Sequence, residues 1–119
     1  MVIESMRKVN EKLTNPKVRA SLANAVHHFS NAIYEKSAPE LNEAKMEKFC
    51  KLTLSCFQKE KEVSNIYLYM LSLGNILIAQ KNLCQIAKLE FAQFKGDIAK
   101  IIGENPELNI IFKELCSLL

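Results

Sequence analysis

Apolar side chains recur every three or four residues along nearly the whole chain, the spacing of one face of a helix. Ile3, Met6, Val9 and Leu13 form the first such stripe and predict a helix over Val2 to Leu13. Thr14-Asn15-Pro16 ends it. Asn15 can cap the next helix, and Pro16 suits a first helical position, where a missing N–H has no intrahelical partner to lose. The second helix then runs to about Lys36, with Val18, Leu22, Ala25, Val26, Phe29 and Ile33 as its core face. Ser21, Asn24, His28, Asn31 and Glu35 make a polar stripe on another face, able to meet water or line a groove.

Ser37-Ala-Pro-Glu40 reads as a capping box for a third helix, with Pro39 in its first turn and an end near Gln58. Leu41, Ala44, Phe49, Leu52, Cys56 and Phe57 are its expected buried positions, and Glu43, Glu47, Lys48 and Lys51 keep one side wet. Lys59 to Glu62 is a polar joint. The fourth helix, Val63 to Ala79, is apolar nearly all round, which predicts enclosure by other helices. Leu68, Ser72 and Asn75 fall on one line of it, where a groove can open. Gly74 costs about 1 kcal/mol relative to alanine in a helix, so a close neighbouring helix is expected there. Lys81 to Leu89 predicts a fifth helix, Phe91 to Gly96 a turn, Asp97 to Ile102 a short sixth helix, and Pro106 to Leu118 a seventh that buries Leu108, Ile111, Phe112, Leu115 and Leu118. Asn105-Pro106 repeats the start seen at Asn15-Pro16.

Seven helices with short joints make an all-α single domain over residues 1–119. An armadillo- or HEAT-like helical solenoid fragment is the expected architecture, with a compact helical bundle as the alternative. The chain has 119 residues, 49% of them hydrophobic, with three Gly and three Pro. Turns are therefore scarce, and some apolar surface is left over for partners.

Sixteen Lys and Arg against thirteen Asp and Glu give a net charge of +3, too little for a bulk nucleic-acid binder. Within the first nineteen residues, however, Arg7, Lys8, Lys12, Lys17 and Arg19 face only Glu4 and Glu11. That excess is either a solvated helix end or a basic lip for an acidic peptide. The longest apolar run is interrupted by Ser72, Gly74 and Asn75 and is too short to cross a bilayer, so no membrane partner is expected. Cys50, Cys56, Cys84 and Cys116 lie among apolar neighbours without a CxxC pair, which implies free thiols in a reducing, intracellular setting, cytoplasm or nucleus.

Candidate chemistry is sparse. Nucleophilic catalysis needs a base oriented beside Ser, Cys or Thr, and only His27 and His28 are available, about 100° apart on one helix. No phosphate loop, dinucleotide fingerprint or zinc spacing occurs. No catalytic residue, metal or cofactor is therefore assigned. The residues expected to line a binding groove are Asn24, His28, Ser72 and Asn75, with Lys17 and Arg19 at its mouth.

Three stretches resemble a known family. Asn15-Pro-Lys-Val-Arg-Ala-Ser-Leu-Ala-Asn-Ala-Val-His-His-Phe-Ser30 is similar to a helix of the PUL domain, the C-terminal module of the phospholipase-activating and ubiquitin-fusion-degradation protein family, in its Leu22-Ala23 and Phe29-Ser30 positions. Met70-Leu-Ser-Leu-Gly-Asn-Ile-Leu77 and Asn82 to Lys88 resemble two later helices of that domain, and the ending in Leu118-Leu119 resembles its C-terminus. The likeness spans most of the chain and corresponds to about the C-terminal half of a PUL domain. It implies an armadillo-like solenoid whose groove takes the acidic C-terminal tail of an AAA+ segregase of the valosin-containing class in ubiquitin-dependent turnover. At two positions the chain departs from the pattern: His28 stands in place of Asn, and Leu68 in place of Arg, which removes one charge-assisted contact to such a tail. The competing expectation is a structural helical-repeat domain that dimerises or docks onto other helices.

Overall fold

The structure, a computed structural model, describes residues 2–11, 15–36 and 42–119. In order these form α1 (Val2–Glu11), α2 (Pro16–Tyr34), α3 (Glu43–Lys59), α4 (Val63–Ala79), a 3-10 turn (Lys81–Leu83), α5 (Cys84–Phe91), α6 (Lys95–Ile102) and α7 (Pro106–Leu118). The described residues contain no strand. The all-α class expected from the periodicity holds.

Three helices begin on an asparagine whose side chain takes up an otherwise unpaired backbone N–H, as helix starts require. Asn15 Oδ1 accepts from Lys17 N at 2.8 Å, Asn42 Oδ1 from Lys45 N at 2.9 Å, and Asn105 Oδ1 from Leu108 N at 3.1 Å. The two Asn-Pro starts are thus where the sequence placed them. The third is a correction. Helix α3 starts on Asn42, while the expected box at Ser37 to Glu40 lies outside the described residues, as do Leu13 and Leu41. Gly103 ends α6 with φ +59°, a backbone region that favours glycine.

Helix α4 organises the packing. It lies most extensively against α2, then against α3 and α7. Ile66, Met70, Leu73, Ile76 and Leu77 are all at most 1% exposed. The α2 face toward it carries small residues, with Ala23, Val26 and Ser30 wholly buried, so the two helices lie flank to flank. This corrects the expected core face of α2, because Val18 and Ala25 are exposed instead. Helix α1 packs on α2 and α3 through Ile3 and Met6, while Val9 of its expected stripe is left 39% exposed.

Contacts join elements one, two or three steps apart in the chain, as in stacked solenoid units, and also enclose α4 on several sides, as in a bundle. At seven helices the two architectures coincide. The radius of gyration is 13.3 Å, against about 13.5 Å for a compact domain of this length.

The segment expected to be a turn, Phe91 to Gly96, does turn at Ala92 to Phe94, with Phe91 still in α5 and Lys95 and Gly96 already in α6, and its two rings are part of the core. Phe91 ends α5, Phe94 precedes α6, and Gly96 lies within α6. Both rings are buried against Phe57, at centroid separations of 5.6 and 5.3 Å. Burial of the two aromatic rings fixes the turn between α5 and α6 against α3.

Candidate functional site

The expected trough between α2 and α4 is a closed seam. The two helices do lie side by side, but their polar rows meet each other. Asn75 Nδ2 donates to Asn31 Oδ1 at 2.8 Å and to Ser30 Oγ at 3.2 Å. Ser72 is wholly buried, and its hydroxyl donates to Leu68 O at 2.7 Å, one turn back. Buried polar groups need partners, and here Asn75 finds them across on α2 while Ser72 and Ser30 bond within their own helices. Among the described residues no buried side-chain nitrogen or oxygen is left without one. Asn24 and His28 sit on the exposed side of α2, and Asn24 Nδ2 bonds back to Ala20 O at 2.9 Å. Of the six residues assigned to a groove, then, Ser72 and Asn75 belong to the helix interface, and Asn24 and His28 face away from it into solvent.

Arg19 is committed elsewhere. Its Nη2 donates to Glu60 Oε1 at 2.8 Å, and the Glu60 carboxylate is only 3% exposed. The same oxygen accepts from the N–H groups of Lys61 and Glu62, both at 3.0 Å. Burial works against the Glu60 charge, but the bonds from Arg19 and the two N–H groups prevail and hold its carboxyl below the usual range. The bond and the charge of Glu60 in turn raise the Arg19 guanidinium. The pair therefore locks α2 onto the α3–α4 joint.

Two open grooves flank α1 instead. On its α2 side, Ser5, Met6, Val9, Lys17, Val18, Ser21, Leu22 and Ala25 line an apolar groove of about 760 Å³, with Lys17 as its cation. On its α3 side lies a groove of about 570 Å³ of different character. Arg7 borders it from α1, and Lys48, Lys51 and Lys59 border it from α3. Lys48, Lys51, Ser55 and Lys59 recur at spacings of three, four and four, which places them on one helix face. The floor is made by Ile3 and Leu52, with a rung between them in which Asn10 Nδ2 donates to Ser55 Oγ at 3.2 Å. Glu4 is the carboxylate lining this groove. Its bond from Arg7 comes first in holding its carboxyl below the usual range. Among the described residues four cations and one carboxylate line it, and with Arg7 paired to Glu4 the three lysines leave the channel positive.

No protein-family model, curated protein or solved structure matches this chain.

The basic groove was half visible in the sequence. The early excess around Arg7 fits a solvated helix end as well as a basic lip, while Lys48 and Lys51 look like a wet side of a helix and Lys59 like part of a joint. What joins them is the packing of α1 across α3, which periodicity along one helix does not reveal. The remaining titratable candidates are poorly placed for chemistry. Burial lowers the His27 imidazole, with the neighbouring His28 adding to the effect. Burial pushes the Cys50 and Cys56 thiols up to about 12. Among the described residues, no group of three or more His, Cys, Asp or Glu side chains is placed to hold a metal ion. No helix among them is long and apolar enough to cross a membrane.

Proposed function

We propose that this chain is a protein-interaction module without catalytic chemistry, and that it takes an acidic peptide segment in the groove between α1 and α3. The observation that carries this reading is the alignment of Arg7, Lys48, Lys51 and Lys59 along one open channel above an apolar floor. An exposed ion pair contributes about 0.2–1 kcal/mol. Arg7 is already paired with Glu4, so contacts from the three lysines amount to a few kcal/mol at most, and the aliphatic lysine stems above Ile3 and Leu52 must add apolar contact to give useful affinity. The bound segment accordingly alternates carboxylates with aliphatic side chains. The PUL resemblance supplies a named occupant of that chemistry, the acidic tail of an AAA+ segregase of the valosin-containing class. Leu68 stands where the family pattern has its Arg, so the cations for such a tail come from α1 and α3 rather than from α4.

The test is a titration of the chain with an acidic peptide and with its carboxamide counterpart, in which Glu and Asp become Gln and Asn, followed by anisotropy at low and high salt. The acidic peptide is expected to bind at low salt and to weaken about tenfold or more as added salt shortens the Debye length below about 10 Å. Equal binding of both peptides, or of neither, overturns the reading.

A further inference from the structure

Two lysines of the basic groove stand at a fixed separation along α3. Lys51, Ser55 and Lys59 line the groove four residues apart, two exposed cations with a half-buried hydroxyl midway. At a rise of about 1.5 Å per residue, the lysines are about 12 Å apart along the helix. Ser55 Oγ accepts from Asn10 Nδ2 at 3.2 Å and can donate its own proton in turn. The Lys48 end of the groove is less hospitable to a carboxylate, because Glu4 already lies there. The bond from Arg7 does most to hold the Glu4 carboxyl below the usual range, and the charge of Lys48 across the groove adds to it. Glu4 thus lies toward Lys48 as Asn10 lies toward Ser55, so α1 and α3 run in the same direction. Lys59, about 16 Å along α3 from Lys48, is far from the Glu4 charge.

We infer that the groove reads an extended acidic segment whose carboxylates stand at positions i and i+4, one on Lys51 and the other on Lys59. This rests on the acidic-segment reading above and gives it a register. An extended chain rises about 3.3 Å per residue, so four residues span about 13 Å and match the lysine pair. Positions i, i+2 and i+4 share one face of such a chain. The residue at i+2 then lies over Ser55, whose hydroxyl suits a small or hydrogen-bonding side chain. Aliphatic side chains fall on i+1 and i+3, turned toward α1. A helical segment is a poorer match. It needs eight residues to cover the same distance, and at about 10–12 Å across such a helix fills on the order of 1,000 Å³. The groove holds about 570 Å³. Glu4 disfavours the alternative register on Lys48 and Lys59, because a ligand carboxylate on Lys48 would meet a like charge.

Three end-blocked peptides of identical length and composition test this, each with two glutamates placed two, four or eight positions apart. Their affinities for the full chain are measured by fluorescence anisotropy at low salt. The separation of four is expected to bind about two- to fivefold tighter than either other, the worth of one exposed ion pair. Lys59→Ala is expected to abolish that preference and Lys48→Ala to leave it intact, with helix content unchanged by circular dichroism, since both side chains are exposed on α3. Equal affinity for all three peptides, tightest binding at a separation of eight, or loss of the preference in Lys48→Ala overturns the inference and leaves the acidic-segment reading standing. Binding of none of the three, while the acidic peptide of the preceding titration binds, overturns it as well. Failure of that peptide too removes the acidic-segment reading with it.

Discussion

Arg19 and Glu60, forty-one positions apart, meet at 2.8 Å where α2 passes the joint between α3 and α4. The carboxylate is nearly inaccessible, while the guanidinium keeps about a quarter of its side-chain exposure. A charge so buried is tolerable only because three donors converge on one of its oxygens. Glu60→Gln is expected to destabilise the folded chain by about 1.5–3 kcal/mol at neutral pH, as judged by urea unfolding. The folded carboxyl lies below its ordinary value, so its contribution is complete above the unfolded pKa of about 4.3. That contribution is lost as pH falls through the depressed folded value. Stability curves of wild type and Glu60→Gln are therefore expected to converge in acid, to part as pH rises from the depressed folded value, and to be fully separated above about pH 4.3.

Ser72 and Asn75 give a prediction of a different kind, because their polarity serves packing. Asn75→Ala strips the donors from Asn31 and Ser30 and is expected to cost about 1–2 kcal/mol. Ser72→Ala loses only a bond to a carbonyl of its own helix and gains helix propensity, so a change within about 0.5 kcal/mol is expected. Neither substitution is expected to alter the affinity for an acidic peptide in an anisotropy titration.

The contrast between those residues and Lys48, Lys51 and Lys59 shows what local pattern could convey. Helix positions followed from apolar spacing and from Asn-Pro starts, because both act within a few residues of chain. The enclosure of α4 follows from its uncharged, largely apolar surface. Which polar residues stayed open did not follow, since Asn75 has the same sequence signature whether it meets water or Asn31. The location of the basic groove depends on α1 crossing α3, a non-local event that rests on Ile3 and Met6 and on the part-buried Asn10–Ser55 bond. Phe91 and Phe94 were missed for a related reason. The chain does turn at Ala92 to Phe94, while the contact that buries both rings, Phe57, lies more than thirty positions earlier.

That aromatic cluster is expected to dominate core stability. Phe57 is fully buried and stands 6.2 Å from Tyr69 in addition to its contacts with Phe91 and Phe94. Phe57→Ala is expected to cost about 3–5 kcal/mol, read from the shift of the denaturation midpoint. A loss below about 1 kcal/mol would mean that the rings do not meet as described.

Thiol reactivity separates the four cysteines. Cys50 and Cys56 are buried and their thiols are pushed up to about 12, whereas Cys84 and Cys116 are partly exposed. Reaction with a disulfide reagent near neutral pH is expected to modify Cys84 and Cys116 first. Cys50 and Cys56 are expected to follow only with unfolding, because the thiolate is the reacting form. Fast modification of all four in the folded chain would contradict the packing of α3.

Amide chemical-shift mapping of the isotope-labelled chain during titration with an acidic peptide tests the central claim most directly. Shifts concentrated on Arg7, Lys48, Lys51, Ser55 and Lys59, and abolished by the double reversal Lys48→Glu, Lys51→Glu, are the expected result. Shifts confined to Asn24, His28 and the α2–α4 seam, or spread evenly over every lysine, would contradict it.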